Sequence, residues 1–122
     1  MKWNVKKFNQ LDINTLYSIL KLRSEVFVLE QNCPYLDIDE KDQKALHIFS
    51  LDANNNCIAY GRIFKSNDYY KNYTAITRIV IREKNRNKKL GYELVNKLID
   101  ICKENYKEKK IKISAQKHLQ NF

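Results

Sequence analysis

The run TAITRIVIR, residues 74–82, constrains this chain more than any other stretch. Its β-branched side chains are stiff about χ1 and fit a pleated, buried strand. A basic connection, EKNRNKKLG (83–91), follows it. Then Leu94, Val95, Leu98, Ile101 and Cys102 recur at helical spacing, with Glu93, Asn96, Lys97, Asp100 and Lys103 on the other side. The spacing predicts an amphipathic helix over about 90–105, and KKIKISAQ supplies a last strand at about 110–115. A strand, a helix and a second strand in this order close as a right-handed parallel crossover.

Upstream the pattern is different. Residues 2–8 read as a first strand. Asp12 is a natural N-cap for a helix of about 13–29, whose apolar positions are Leu16, Ile19, Leu20, Val26 and Phe27. LHIFSLD and CIAYGRIFKS flank Ala53-Asn54-Asn55-Asn56. Asparagine tolerates the left-handed conformation, so these two runs read as a hairpin. The order is β-α-β-β-β-α-β, an antiparallel sheet leading into the strand–loop–helix–strand unit. Gly61, Gly91 and Pro34 are the only glycines and proline, so each is expected to have a structural task.

Arg23 falls on the apolar face of the first helix, between Ile19 and Phe27. A charge there is costly unless it is paired. It reads either as a structural ion pair with a nearby carboxylate, or as a residue that orders the following loop or meets a substrate. That loop, EQNCPYLDIDEKDQKA (30–45), is long for a connector. Asp37, Asp39, Glu40 and Asp42 make it acidic. It suits a cationic substrate, or it is an ordinary solvated loop.

At 122 residues the chain holds one domain with one core. Its apolar runs are too short to span a bilayer, and no apolar leader follows Met1. Cys33, Cys57 and Cys102 form neither a metal-type pair nor a disulfide framework, so no metal site and a reducing cytoplasm are expected. The net charge is +9. This surplus reads either as an anionic partner or as a solvated lysine coat. The densest clusters lie at 82–89 and 103–112. The first sits before a helix, where unpaired N–H groups and the positive end of the dipole attract anions. Arg86, Lys88 and Lys89 add charge there, and Gly91 lets backbone approach closely.

RNKKLG (86–91), between a β-branched strand and an amphipathic helix, resembles the pyrophosphate-binding signature of the GCN5-related N-acetyltransferases, Arg/Gln-x-x-Gly-x-Gly/Ala. Arg86 and Gly91 match it, and Lys89 stands where the first glycine usually is. LRSEVFVLEQNCPYLDID (22–39), LHIF (46–49), AYGRIFKS (59–66), ITRIVI (76–81) and SAQKHLQNF (114–122) are similar to the ElaA-like branch of that family. The resemblance implies the family's α+β fold, a mixed and mostly antiparallel sheet flanked by helices, over residues 1–122. It also implies acetyl-CoA as cofactor. Ile79, Val80 and Ile81 would pair with the pantetheine arm as an added strand does. A main-chain N–H near Val80 would face the thioester oxygen. Arg86, Asn87, Lys88, Lys89, Leu90 and Gly91 would hold the pyrophosphate, and Gln116 matches a cofactor-contacting Asn.

The implied reaction is transfer of an acetyl group to a primary amine of a small-molecule or peptide acceptor. An alkyl amine with a pKa of ~10 must first lose a proton. Glu30, Asp37, Asp39 and His47 are the bases to weigh, and His118 is ambiguous. Arg23, Asp37 and Asp39 are the residues to weigh toward the acceptor. In the family, the segment matching AQKHLQNF continues into a Tyr, a short helix and two strands. Here the sequence stops at Phe122, so an incomplete domain with an open strand edge is expected. A fragment, a natural short form and completion in a homodimer all fit. Two other functions compete: a CoA-binding module without turnover, and a nucleic-acid-binding protein using Tyr69, Tyr70 and Tyr73 beside lysines.

Overall fold

In the computed structural model, which describes residues 1–106 and 110–114, TAITRIVI is the fourth strand of a five-stranded sheet ordered as in sequence. The strands are β1 (Asn4–Lys7), β2 (Leu46–Leu51), β3 (Cys57–Phe64), β4 (Thr74–Ile81) and β5 (Ile111–Ile113). Neighbours from β1 to β4 are antiparallel, and β5 lies parallel to β4. Two helices, α1 (Ile13–Arg23) and α2 (Lys88–Tyr106), complete the expected β-α-β-β-β-α-β order. Alternate residues of β4 lead to different helices. Ile79 and Ile81 pack with Leu94, Leu98 and Ile101 of α2, whereas Val80 packs with Ile19, Val26 and Phe27 of the first helical segment. The helices therefore lie on opposite faces of the sheet.

Asp12 caps α1 as expected, accepting from the Thr15 N–H at 2.7 Å. The predicted 13–29 helix changes gait at Arg23, where it continues as a π-helix over Ser24–Glu30. Gln31 N–H bonds to Val26 O and Cys33 N–H to Val28 O, both five residues back. The wider turn brings Arg23, Val26 and Phe27 inward together, whereas Leu16 and Leu20 are only partly buried and Leu22 takes a core place. The first strand is shorter than expected, because Phe8–Gln10 turns into a 3-10 helix. α2 begins two residues earlier than predicted and absorbs Lys88 and Lys89 into its first turn.

The hairpin between β2 and β3 turns on Asp52, which accepts from the N–H groups of Asn54 and Asn56, and Asn55 takes φ 65°. Asn67 and Asn72 are also left-handed in the β3–β4 connection. Gly61 does serve close packing: a Cβ there would lie 2.6 Å from Leu98 Cδ1 of α2. Cys57 and Cys102 are buried thiols, and burial pushes Cys57 up to about 12.

Candidate functional site

β4 carries one residue more than β3 can pair. Arg62 faces Thr77 and Tyr60 faces Val80, so two steps on β3 span three on β4. The insertion is a β-bulge at Arg78, whose φ is 55°. A bulky residue in that region carries strain of about 1–3 kcal/mol. The bulge also explains the facing of the apolar residues. Ile76, Ile79 and Ile81 share one core cluster, which strict alternation from Ile76 would forbid. β5 pairs only with Thr74, Ala75 and Ile76. Beyond Arg78, among the described residues, β4 has a strand partner on its β3 side alone.

Past the bulge, alternate backbone amides face that open edge. Arg82 N–H bonds to Ile58 O on β3 at 2.8 Å. By the alternation of an antiparallel ladder, Val80 also turns to β3 and Ile81 turns to the open edge. Arg86 Nε reaches Ile81 O at 2.9 Å from that side. The amide next to Val80 that is offered outward is therefore that of Ile81. The chain then passes through the 3-10 turn Glu83–Asn85 into α2. Asn87 caps this helix: its Oδ1 accepts from Leu90 N–H at 2.8 Å and its carbonyl from Gly91 N–H at 3.1 Å. Among the described residues, no acceptor meets the amides of Lys88 and Lys89. These two N–H groups, beside two exposed lysine side chains, are a place for an anion. Gly91 lies buried in the first helical turn, and neither glycine has positive φ, so the left-handed conformation is not its task.

Three carboxylates of the acidic loop, Asp37, Asp39 and Asp42, turn inward, while Glu40 stays exposed. Arg23, fully buried, donates from Nε to Asp37 at 2.8 Å and from Nη1 to Asp42 at 2.7 Å. Arg62, on β3 and also fully buried, grips Asp39 at 2.8 Å and Asp42 at 2.8 Å. Arg78 donates to Asp37 at 2.8 Å. Three guanidinium groups thus meet three carboxylates, which meets the condition for burying charge. Burial alone would raise the Asp39 carboxyl, but the hydrogen bonds and charge of Arg62 outweigh it and hold it at about 2. Asp42 is likewise lowered against burial by Arg23 and Arg62. Arg23 takes both the ion-pair and the loop-ordering roles weighed for it. Asp37 is buried and Asp39 half-buried, each committed to arginine. Arg62 and Arg78 are members that the sequence reading did not single out, and Asp42 was read only as one of the loop's acids. The available signal was an arginine inside each apolar strand, in YGRIF and ITRIV, near a loop rich in aspartate.

His47, weighed above as a base, is held inside the protein by two hydrogen bonds. It is buried, with Nδ1 2.6 Å from the Tyr60 hydroxyl and Nε2 2.9 Å from Asp42 O. Since a carbonyl can only accept, Nε2 carries the proton and Nδ1 accepts from Tyr60. Burial lowers its pKa, so the ring is held neutral. Glu30, at the end of the π-helix, is bound by both Nη1 and Nη2 of Arg86, the latter at 2.7 Å. The Arg86 fork expected for phosphate is therefore occupied by Glu30 and by Ile81 O. Gln116 and His118 lie outside the described residues.

Known proteins share this fold. ElaA of Escherichia coli (strain K12) is 38% identical over 124 residues, covering 100% of this chain and 80% of ElaA. Its crystal structure superposes with a TM-score of 0.88, covering 99% of this chain and 82% of the other. An acyl-CoA N-acyltransferase from Pseudomonas aeruginosa, 30% identical, also gives 0.88 over 98% of this chain and 82% of its own. The PaiA N-acetyltransferase of Thermoplasma acidophilum, solved with coenzyme A, shares the fold at 15% identity, with a TM-score of 0.65 over 99% of this chain and 84% of that one. The sequence model for the Acetyltransferase (GNAT) family matches residues 13–122. By that family match over most of its length and by its full-length identity with ElaA, the chain belongs to the GNAT acetyltransferase family.

Proposed function

We propose that the chain is an acetyl-CoA-dependent N-acetyltransferase that moves the acetyl group directly to a primary amine of a small-molecule or peptide acceptor. One observation carries this reading: the β4 edge freed at Arg78 runs straight to a helix start with two unpartnered amides. The residues present fit the cofactor. The arm would lie along Ile79–Ile81 as an added strand, with the outward N–H of Ile81 as a donor. The diphosphate would meet the amides and ammonium groups of Lys88 and Lys89, in a turn shaped by Asn87, Leu90 and Gly91. Acetyl-CoA, when bound, supplies the activated thioester. The complex of the T. acidophilum protein with coenzyme A on this fold supports the reading.

Within this reading Arg23, Asp37 and Asp39 shape the loop beside the site and do not touch the acceptor. His47 is not the base, because both of its nitrogens are engaged in the interior. Glu30 serves Arg86, and the acceptor amine loses its proton to solvent. The engagement of all four weighed bases, Glu30, Asp37, Asp39 and His47, favours one second reading, a CoA-binding module without turnover. Polynucleotide binding has less support: Tyr69 stacks on Phe64 at 5.0 Å and Lys112 covers Tyr70 at 4.5 Å, so these rings are already used.

Calorimetry with acetyl-CoA, followed by CoA-thiol release against a panel of primary amines, tests the reading. Binding with amine-dependent release is the expected result. Binding without release would assign the binding module, and a folded protein that ignores acetyl-CoA would sink both.

A further inference from the structure

Arg78 combines three features that have no common cause in strand packing. It occupies the one-residue insertion of β4, it is left-handed at φ 55°, and it pairs with a buried carboxylate. Arginine is a poor occupant of that backbone region, which glycine adopts freely. Its side chain must therefore contribute something glycine could not. Nε bonds to Asp37 Oδ1 at 2.8 Å and Nη2 to Asp37 O at 3.1 Å, and the guanidinium lies 5.8 Å from the centre of the Tyr35 ring. Asp37 is fixed from behind by Arg23, through its carboxylate at 2.8 Å and its carbonyl at 3.2 Å. The anchor is thus tied to the first helix and to the loop at once. On the other side of the bulge, the last bond between this stretch and β4 among the described residues is Ser114 N–H on Ile76 O.

We infer that Arg78 is a positioning residue of the cofactor strand: its pair with Asp37 holds the left-handed backbone at the bulge and so aims the open edge of Ile79–Ile81 at the pantetheine arm. The inference rests on the cofactor site proposed above. It also makes the acidic loop part of the cofactor machinery, since Asp37 belongs to that loop.

The test compares binding of CoA with binding of its nucleotide half, 3′-phospho-ADP, by calorimetry. The nucleotide needs only the turn at Lys88 and Lys89, whereas CoA also needs the strand edge. Arg78→Ala keeps a Cβ and loses the pair. Its expected result is a loss of about tenfold or more in CoA affinity with nucleotide affinity within about twofold of the parent. Asp37→Asn should follow it. Arg78→Gly, free to take the left-handed conformation, should fall between Arg78→Ala and the parent. If Arg78→Ala does not fold, Asp37→Asn and Arg78→Gly carry the same comparison. Amide exchange at Ile79–Ile81 should quicken in Arg78→Ala, while exchange in α2 stays as it was. Unchanged CoA affinity, or equal losses for CoA and the nucleotide, would overturn the inference. So would a parent that binds both ligands equally, since the strand then adds nothing. A parent that binds neither ligand defeats the cofactor reading itself, a distinct outcome.

Discussion

Two groups of cations lie on either side of β4, and their fates differ. Arg23, Arg62 and Arg78 point into the protein and are saturated by Asp37, Asp39 and Asp42. Lys88 and Lys89 stand in the open at the start of α2, next to amides with no acceptor among the described residues. Arg86 stands between the two cases, half-exposed and yet committed to Glu30 and Ile81 O. Formal charge alone does not identify a ligand site. What identifies one is donor capacity left over after the fold has taken its share.

The strongest way to break this contrast is to remove the carboxylate shared by two arginines. Asp42→Ala leaves Arg23 and Arg62 short of a partner inside the protein. A loss of about 3–5 kcal/mol in urea unfolding is expected, the cost of taking one partner out of a buried ion network. A loss below about 1 kcal/mol would place the cluster in the solvent-screened class with the surface pairs.

At the basic turn the expected effect is on binding alone. Lys88→Ala with Lys89→Ala should weaken acetyl-CoA by about tenfold or more, ~1.4 kcal/mol, and should leave stability within about 0.5 kcal/mol. A stability loss as large as that of Asp42→Ala would erase the distinction between the two regions.

Acid titration sharpens the same contrast. Asp39 at about 2 and the lowered Asp42 bind fewer protons folded than unfolded. Their stabilisation is fully present above the unfolded carboxyl pKa of about 3.9 and is lost as pH falls toward about 2. The urea midpoint should therefore drop between about pH 5 and pH 2. Asp39→Asn should show a shallower drop, and the Lys88/Lys89 variant the same drop as the parent. The smallest effect belongs to the exposed pair: Glu30→Gln should cost no more than about 1 kcal/mol in the same measurement.

Most of the fold was legible because it rests on periodicity. Helical spacing announced α2, β-branched composition announced β4, and the asparagine turn announced the hairpin. The bulge was not legible, since ITRIV reads as an unbroken strand and one inserted residue leaves the composition unchanged. The direction of the acidic loop was hidden for a related reason. A row of aspartates has the same composition facing water or facing arginine, and only Arg62 and Arg78 inside apolar strands hinted at the second. The basic turn at the start of α2 was legible too, but helix propensity at Lys88 and Lys89 moved these residues from loop into first turn. That shift changes which amides remain open.

The turns of this protein carry a thermal consequence. Left-handed positions that other chains give to glycine are held here by Asn32, Asn55, Asn67 and Asn72, and the whole sequence has two glycines. Asparagine restricts the denatured chain more than glycine does, so less disorder is surrendered at each of these corners when the chain folds. The familiar route of trimming glycine from loops to raise a melting temperature has therefore largely been taken already. Further gains would have to come from the paired interior or from the ends of the sheet.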